Sequence, residues 1–568
     1  MNALAEMQKE WKEWSPAGRL AFVLVASVSA VSILFGILDY PVIGHDSYVH
    51  LNWLDQFTRL REQGIAYPRW LPDSFGGFGS PSFYFYPPLP YWIASFFYSI
   101  HSFSPGVLFS LLQLSAAIGS IITSYFLLRS RSTSALSSLF SALIYSFLAY
   151  RFCDVYVRNA LGEHCALAFL PLVFIVHTDS LRRIAILTIG WTGLLLTNLP
   201  VAYIAGISTL VFYAATAYKS VAGNGQIQLG STRATFLSQL IAVIIAVLTS
   251  AVYLVPAIGL RDQIHSGHLQ DLFLKTSQYG FAVLDLFQGT FDWLRLLSIF
   301  TLICGILLTI QTWKSVEPSD RGWKWVAVVA IFFQLPFMST LLWRYVPGME
   351  YLQFSWRWNG MLLLAIAYYA ARRKNSTSVC FAIALAVVTL FCELTIGRNI
   401  LLRPPLPLNT YRMDAPEYAP ISTPNNPYEV IGLTQRWAAD SSVVALGFTL
   451  PSDSIHLSAK HPTEWNFSTS LSRETPVRFH MLYWPYWRAF RGQDPIALKP
   501  DVNGCSTAIL PVGSYGLHLV LIRSPYESIG ILLSYFGAAL LIALLSIASY
   551  QTLQIRDRTI PPFRRSRS

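Results

Sequence analysis

Apolar runs of about 16–25 residues recur along the chain, and each is long enough to cross a bilayer as a helix. Short polar stretches separate the runs. The pattern predicts a polytopic α-helical membrane protein with about twelve spans. We place these spans near residues 19–39, 106–128, 134–150, 164–178, 184–198, 201–218, 235–256, 294–312, 324–342, 357–371, 377–396 and 529–550.

Basic residues concentrate in every second loop between the apolar runs, as is typical of loops that stay in the cytoplasm. They are Arg129, Arg131, Arg182, Arg183, Lys219, Arg233, Lys314, Arg321, Lys324, Arg372, Arg373, Lys374, Arg564, Arg565 and Arg567. All of them fall on one side if both termini are cytoplasmic. The formal net charge of +11 therefore reflects membrane topology, and we expect no nucleic-acid partner.

Composition supports the membrane assignment. Only 12% of the residues are charged and 53% are hydrophobic, whereas a soluble protein carries about a quarter charged residues. The six cysteines show no CxxC spacing, so a zinc site is not indicated. A disulfide between Cys153 and Cys165 stays open if both residues face an oxidising compartment.

Two segments on the outward side are long. Residues 40–105 are rich in aromatic residues and proline, which suggests short helices along the membrane interface. The other segment contains strand-like runs at Ser442–Leu450, Phe479–Tyr483, Ser506–Leu510 and Leu517–Arg523. We therefore expect three parts: a transmembrane domain over 1–396, a small extracytoplasmic β-rich domain over 397–528, and a last helix with a basic tail over 529–568.

The first outward loop contains a carboxylate between two imidazoles, in the sequence Gly44-His45-Asp46-Ser47-Tyr48-Val49-His50. Ionisable groups at a membrane boundary indicate a functional site, because membrane burial penalises idle charge. Asp46 is the candidate base. The structural alternative is a helix N-cap, since a helical pattern follows it. His45, His50 and Arg69 of the same loop are candidates for binding substrate or phosphate.

The same three residues, His45, Asp46 and His50, are also the candidate set for a divalent cation. Carboxylate and imidazole ligands suit several divalent metals, but three residues are a small set for a metal site. The sequence leaves cation binding open and predicts no other cofactor.

Two further outward loops carry candidate residues. Arg158 offers fixed paired donors to a phosphate, and Glu163 and His164 stand where the next span begins. Gln353 and Arg357 precede another span. Anchoring of helix starts at the interface is the alternative for both groups.

Weaker candidates lie elsewhere on the outward side. Tyr483-Trp484-Pro485-Tyr486-Trp487-Arg488 is either an exposed aromatic rim able to stack on a sugar or ordinary packing. Asp262, His265 and His268 are candidates for substrate contact.

Several of these motifs resemble one bacterial family. GHDSYVHLNWLDQF followed by YPRWLPDSFGGFGSPSFYFYPPLPYW is similar to the first outer loop of the family labelled as the membrane domain of 6-pyruvoyl-tetrahydropterin-synthase-related proteins. That family belongs with the GT-C glycosyltransferases, and its label implies no pterin chemistry. RNALGEH resembles an Arg-Gly-Ala…Glu motif, with Asn159 for the glycine. LQFSWRW resembles a Gln-Phe-Pro-Trp-Arg motif, with Ser355 for the proline.

The resemblance implies a bacterial plasma-membrane glycosyltransferase that uses a polyprenyl-phosphate sugar at the periplasmic face. The acidic residue that the family places in its first outer loop corresponds to Asp46. One carboxylate suffices as base when transfer inverts the anomeric configuration. Arg158 and Arg357 would stabilise the departing phosphate, and Glu163 would be a second catalytic acidic residue at the site.

Two alternatives from other classes stay open. A transporter or flippase of lipid-linked sugars would show charges in the middle of spans and two matched halves, whereas the ionisable groups here concentrate at one face. A non-catalytic assembly subunit with the same fold would have lost the loop carboxylate, but Asp46 is present. The acceptor, whether a glycan, a lipid or a protein, is not determined by the sequence, and protein partners stay possible.

Overall fold

The computed structural model describes residues 3–37, 44–131, 133–175, 179–222, 226–267, 293–313, 318–335, 342–343, 345–372, 376–401, 414–424, 443–446 and 454–559. His268 and most of the predicted strand Ser442–Leu450 lie outside these ranges. The same holds for several of the basic residues used for topology, namely Lys314, Arg373, Lys374, Arg564, Arg565 and Arg567.

Helices dominate the described chain. They are α1 (Ala3–Glu13), α2 (Pro16–Ile37), α3 (Ser47–Glu62), α4 (Ser74–Gly77), α5 (Ser82–Phe85), α6 (Leu89–Ile100), α7 (Pro105–Ser130), α8 (Ala135–Phe147), α9 (Tyr150–Phe152), α10 (Leu161–Phe169), α11 (Ser180–Thr197), α12 (Leu199–Ala222), α13 (Gln226–Thr249), α14 (Ala251–Gly259), α15 (Trp293–Thr312), α16 (Pro318–Gln334), α17 (Trp358–Arg372), α18 (Ser376–Leu401) and α19 (Pro525–Thr559). Shorter turns of other types are a π-helix (Cys153–Arg158) and 3-10 helices (Leu170–Phe174, Arg261–Gln263, Met349–Leu352, Ser355–Arg357 and Pro416–Tyr418).

Fewer than twelve membrane spans can be identified in the described ranges. Five helices in the described ranges are long and apolar enough to cross a bilayer, or up to seven if each of two bent helix pairs is one span. A helix lies at each predicted position, but several are too short or too broken to qualify. The count of twelve is therefore not confirmed.

Local backbone chemistry explains the two bends. Ala149 has a φ of 48° and separates α8 from the next helical pair, which is inclined by 41°. The bend of 72° between α13 and α14 falls at Ser250, and α14 also contains Pro256. Proline has no amide hydrogen, so the carbonyl oxygen four residues earlier, that of Val252, loses its helical partner.

The centre of the bundle is the helix α17, whose residues are buried on all sides. It packs against α8, α15 and α16, while α2 packs on α18 and α7 on α8. Trp323 and Tyr368 stack within this core at a ring distance of 5.1 Å. Burial on all sides means that other parts of the protein, and not lipid, surround this helix. The start of α17, directly after Arg357, is consequently fixed in position.

The predicted β-rich part is confirmed as two antiparallel sheets. Its strands are β1 (Val443–Ala445), β2 (Ile455–His461), β3 (Glu464–Leu471), β4 (Thr475–Leu482), β5 (Trp487–Arg491), β6 (Asp494–Ile496), β7 (Lys499–Pro500), β8 (Cys505–Leu510) and β9 (Gly513–Leu521). One sheet has the order β1-β4-β8-β7 and the other β2-β3-β9-β5-β6. Alternate residues of β4, such as Val477 and Phe479, face the shared core, as expected for a half-buried strand.

The aromatic run of this β-rich part is packing and not an exposed rim. Trp484 and Trp487 are 0% and 1% exposed. Trp487 meets Trp70 of the first outer loop at a ring distance of 6.0 Å, and Leu482 donates its backbone amide to the carbonyl oxygen of Phe78 at 2.7 Å. The exposed-rim interpretation was wrong because these side chains join the β-sheets to the outer loop.

None of the cysteines in the described ranges forms a disulfide, and this includes Cys153 and Cys165. Both side chains are buried among apolar neighbours. The open question of a disulfide between them is answered by this geometry, which contains no such bridge.

Candidate functional site

Asp46 stands at the start of α3 but does not cap it. Its side chain makes no capping hydrogen bond, and Ser47 fastens the turn instead by donating its hydroxyl to the Gly44 carbonyl oxygen at 2.8 Å. The backbone amide of Asp46 donates to the carbonyl oxygen of Arg158 at 3.0 Å. No hydrogen bond to the Asp46 carboxylate occurs within the described ranges, and the residue is partly exposed. The capping alternative is therefore wrong.

Arg158 and Glu163 meet in a buried charge cluster. The Arg158 Nη1 lies 2.8 Å from Glu163 Oε2 and 2.6 Å from Asp154 Oδ1. Tyr150 donates its hydroxyl to Glu163 Oε1 at 2.6 Å. All four side chains are almost fully buried, so each charge depends on its partners for stabilisation.

Arg357 completes this cluster from a third outward segment. Its Nε lies 3.2 Å from Glu163 Oε2, and its Nη1 donates to the carbonyl oxygen of Leu352 at 2.9 Å. The guanidinium also lies over the ring of Phe354, 5.3 Å from its centroid. Glu163 therefore holds two guanidinium groups side by side. Its own oxygens are engaged, so Asp46 is the predicted acidic residue whose carboxylate is available to a substrate.

Two backbone positions beside the cluster are unusual. Asn159 has a φ of 55°, in the left-handed region that glycine and asparagine tolerate. Asparagine thus replaces the glycine of the resembled motif without changing the local backbone shape that glycine would allow. Gln353 has a φ of 62°, which is strained for a residue of its size. Such strain is found most often at functional sites.

The surroundings of His50 leave it unavailable to bind a metal ion or a substrate. It is buried, and its Nδ1 lies 2.8 Å from the hydroxyl of Tyr91. Burial lowers the pKa of His50 to about 4, although the nearby charge of Asp46 acts in the opposite direction. The imidazole is consequently neutral near pH 7 and forms part of the aromatic packing against Trp53 and Tyr86.

The proposed cation site is not assembled. Within the described residues, no three His, Cys, Asp or Glu side chains come together as a possible metal-binding group. His45 is exposed, whereas His50 is buried and bonded to Tyr91. The possibility of a cation held by His45, Asp46 and His50, which the sequence left open, finds no support here, because the two imidazoles lie in different environments.

His164 faces a different part of the bundle from Asp46. Its Nε2 lies 3.2 Å from the Gln113 carbonyl oxygen, and its backbone carbonyl accepts from Arg151 Nη1 at 3.2 Å. It lines a cavity of about 30 Å³ together with Gln113, Ser146 and Arg151. His164 therefore lies behind Glu163 and supports the helix start from the bundle side.

Arg69 also lies apart from the charge cluster. Its Nε pairs with Glu527 Oε1 of α19 at 3.0 Å, and both side chains are buried. Its Nη2 donates to the carbonyl oxygen of Val252 at 2.7 Å. This is the carbonyl that Pro256 leaves without a helical donor. The contacts indicate that Arg69 joins the outer loop to α14 and α19.

The remaining weak candidates have simple placements. Asp262 is exposed, with 87% of its side chain accessible. His265 is buried, and its Nε2 lies 3.0 Å from the carbonyl oxygen of Thr423.

Tyr150 and Asp154 belong to the site but did not stand out in the sequence. Tyr150 lies inside an apolar run, where a tyrosine carries no signal of its own. Asp154 had a readable signal, because a carboxylate four residues before Arg158 faces the same side of a helix.

Comparisons with known proteins add structural likenesses of low similarity. No family model matches the chain, and no curated protein matches it. Among solved structures, arabinofuranosyltransferase AftD from Mycobacteria matches with 13% identity and a TM-score of 0.41, over 67% of this chain and 27% of that chain. The chain thus spans about a quarter of the length of AftD. ArnT from Cupriavidus metallidurans, solved with bound undecaprenyl phosphate, matches with 12% identity and a TM-score of 0.30, over 79% of this chain and 97% of that chain.

Proposed function

We propose that the protein is a membrane glycosyltransferase that moves a sugar from a polyprenyl-phosphate donor to a hydroxyl-bearing acceptor. The observation that carries the proposal is the backbone hydrogen bond that joins Asp46 to Arg158. A partly exposed carboxylate without a hydrogen-bond partner in the described chain is fastened, through its own backbone, to the residue that bears a buried guanidinium. A base beside fixed cations is what displacement of a phosphate from a sugar requires.

Asp46 acts as the general base in the proposed reaction. It accepts the proton of the acceptor hydroxyl while that oxygen forms a bond to the anomeric carbon. The bond between the anomeric carbon and the phosphate oxygen breaks at the same time, and the electron pair leaves with the phosphate. A single carboxylate suffices because direct displacement inverts the configuration.

The guanidinium groups stabilise the leaving group. Arg357 and Arg158 both lie against Glu163, so two positive groups are fixed in advance near one another. Preorganised cations stabilise the charge that develops on a departing phosphate without reorganising during the reaction. Glu163 has the role of positioning these groups, because its oxygens already bind both of them and Tyr150.

The membrane location fits the donor. Five helices in the described ranges are apolar and long enough to span a bilayer, and they offer surfaces along which an isoprenoid chain can lie. We place the protein in the bacterial plasma membrane with cytoplasmic termini. The site then faces the periplasmic side, where the first outer loop and the β-sheets meet.

The test is sugar transfer in proteoliposomes. The donors are a panel of radiolabelled polyprenyl-phosphate sugars, and native membrane extract supplies the acceptor. We expect the wild type to transfer one of the sugars and Asp46→Asn to lose at least a hundredfold of the rate while donor binding persists. Asp494→Asn, an exposed change in the β-rich part, is the matched control and should retain full activity.

Two outcomes would contradict the proposal. If Asp46→Asn transfers sugar at the wild-type rate, Asp46 is not the base. If neither protein transfers any sugar but both move the labelled lipid across the bilayer, the transporter alternative replaces the glycosyltransferase.

A further inference from the structure

Residues 414–424 form a strap, that is, a short irregular segment fixed at both ends to other elements. At its first end, Trp53 Nε1 and Ser82 Oγ each donate to Asp414 Oδ1 at 2.9 Å. Asp414 is 0% exposed, so this attachment to the first outer loop is buried.

The second end of the strap is fixed to the loop that follows α14. The backbone amide of Ile421 donates to the Gln263 carbonyl oxygen at 2.8 Å, and the amide of His265 donates to the Ala419 carbonyl oxygen at 3.2 Å. The strap thus bridges two outer loops. Its middle, the 3-10 turn Pro416–Tyr418, has little freedom to move.

Tyr418 fixes the orientation of that turn. Its ring lies 6.0 Å from the ring of Trp53, 6.3 Å from that of Tyr86 and 6.4 Å from that of Phe85, which it stacks on. Because three aromatic contacts hold Tyr418, the preceding residue, Glu417, projects from a rigid turn.

Glu417 is a carboxylate without a partner side chain in the described chain. The hydrogen bond that it receives comes from its own backbone amide. It lies within electrostatic reach of both Asp414 and Asp46. Burial, together with the charges of these two residues, raises the pKa of Glu417 to about 7. A partly buried carboxyl group in this position needs hydrogen-bond donors, and the described ranges supply it with none besides its own backbone amide.

We propose that Glu417 binds a second hydroxyl group of the acceptor, next to the hydroxyl group that Asp46 deprotonates. This inference rests on the proposed function and narrows its acceptor to a carbohydrate, because two carboxylates that face one acceptor need two neighbouring hydroxyl groups. A serine or threonine side chain offers only one. Glu417 is then a residue that determines acceptor specificity.

A divalent cation between Asp46 and Glu417 is the competing occupant. The geometry favours hydroxyl groups for two reasons. The described residues bring no third ligand to this pair, and the guanidinium group of Arg158 already lies within electrostatic reach of Asp46. A cation would be repelled by Arg158, whereas a neutral hydroxyl group would not.

The experiment compares wild type, Glu417→Gln and Glu417→Ala in the proteoliposome assay. Native membrane extract is titrated as acceptor at saturating donor, and the donor is titrated separately at saturating extract. We expect both variants to raise the extract concentration for half-maximal rate roughly tenfold or more, since a hydrogen bond to a charged group is lost. The donor concentration for half-maximal rate should not change. Glu474→Gln, an exposed change in the β-rich part, is the matched control.

The transferred label is then traced through carbohydrate, lipid and protein fractions of the extract. Recovery in material that carries a newly substituted sugar supports the inference. Recovery on a protein side chain, or an unchanged extract titration in both variants, overturns it while leaving the proposed function intact. Loss of wild-type transfer in EDTA that Mg²⁺ restores, with no such response in Glu417→Gln, assigns the pair to a cation instead. Absence of wild-type transfer with every donor removes the proposed function and this inference together.

Discussion

The backbone amide of Asp46 donates a hydrogen bond of 3.0 Å to the carbonyl oxygen of Arg158. This bond connects the first outer loop, which carries the proposed base, to the second, which carries a proposed phosphate-binding group. The bond therefore holds together the two backbone positions from which these side chains extend. Fixed placement of reacting groups is a large part of catalysis, so the residues that protect this bond should matter as much as the groups themselves.

Gly44 is the residue that allows the two loops to approach so closely. A Cβ atom at this position would lie 2.7 Å from the carbonyl oxygen of Val157 and closer still to the side-chain oxygen of Asn159. Gly44→Val should therefore separate the loops and break the bond between Asp46 and Arg158. We expect sugar transfer to fall roughly a hundredfold, because a misplacement of about 1 Å has effects of that size. The proteoliposome assay measures it.

The matched control for this change is Gly206→Ala. No atom lies within 4 Å of a Cβ added at Gly206, so that variant should keep its activity and its unfolding temperature. Full activity in Gly44→Val would mean that the contact between the loops does not position the base.

Arg158 should contribute more to stability than its charge alone suggests. Arg158→Met leaves Asp154 and Glu163 buried, with their shared cation removed. Loss of one partner from a buried ion pair costs about 3–5 kcal/mol, so thermal unfolding in detergent should begin at a clearly lower temperature. Arg59→Met is the control, because Arg59 pairs with Asp55 and Asp73 near the surface, where each such pair contributes about 0–1 kcal/mol. Equal effects of the two changes would contradict the buried cluster.

The lowered pKa of His50 predicts that the free energy of unfolding depends on pH. Its pKa is lowered from 6.5 to about 4 by burial, against the influence of Asp46. The unfolded chain therefore binds a proton between these pH values that the folded chain does not. The corresponding stability is fully present above pH 6.5 and is lost as the pH falls towards 4, by roughly 3 kcal/mol in all.

The measurement is the free energy of unfolding from pH 4 to pH 8 for the wild type and for His50→Gln. Glutamine can still bond to Tyr91, so the variant should fold but show a shallower loss of stability below pH 6.5. His456→Gln, an exposed change in β2, should follow the wild type. A slope in His50→Gln as steep as that of the wild type would assign the dependence to other groups.

The sequence predicted where the helices lie better than it predicted where they break. Apolar runs of the right length located the helices, because burial of a whole helix requires apolar residues on every side. The breaks at Ala149 and Ser250 could not be predicted, since neither is a proline or a glycine. They depend on tertiary packing, and each leaves a bent helix pair where the sequence predicts one continuous span.

The candidate site was predicted in part for a similar reason. Asp46, Arg158, Glu163 and Arg357 were found because charged residues are rare beside apolar runs. The contacts of Glu163 with Arg158 and Arg357 were not predicted, because side chains far apart in the chain meet only in the folded protein. Glu417 carried no signal at all, because an acidic residue in a polar segment is ordinary.

Arg69 has two interpretations that an experiment can separate. The sequence indicated that it binds substrate or phosphate, whereas in the structure it joins the first outer loop to α14 and α19. It pairs with Glu527 at 3.0 Å and donates to the carbonyl oxygen of Val252 at 2.7 Å. Arg69→Met should destabilise the protein by about 3–5 kcal/mol, because Glu527 is then buried without its partner. The double variant Arg69→Met, Glu527→Gln should cost less than the sum of the two single changes, with a coupling of about 0.5–3 kcal/mol.

Activity separates the two roles of Arg69. The double variant lacks the guanidinium group but contains no unpaired buried charge, so it should fold and transfer sugar at a rate per folded molecule within about twofold of the wild type if Arg69 is only a link. Donor titration in the proteoliposome assay measures this. A raised donor concentration for half-maximal rate in the folded double variant would instead assign Arg69 to the phosphate, and the contact with Glu527 would then position a binding group.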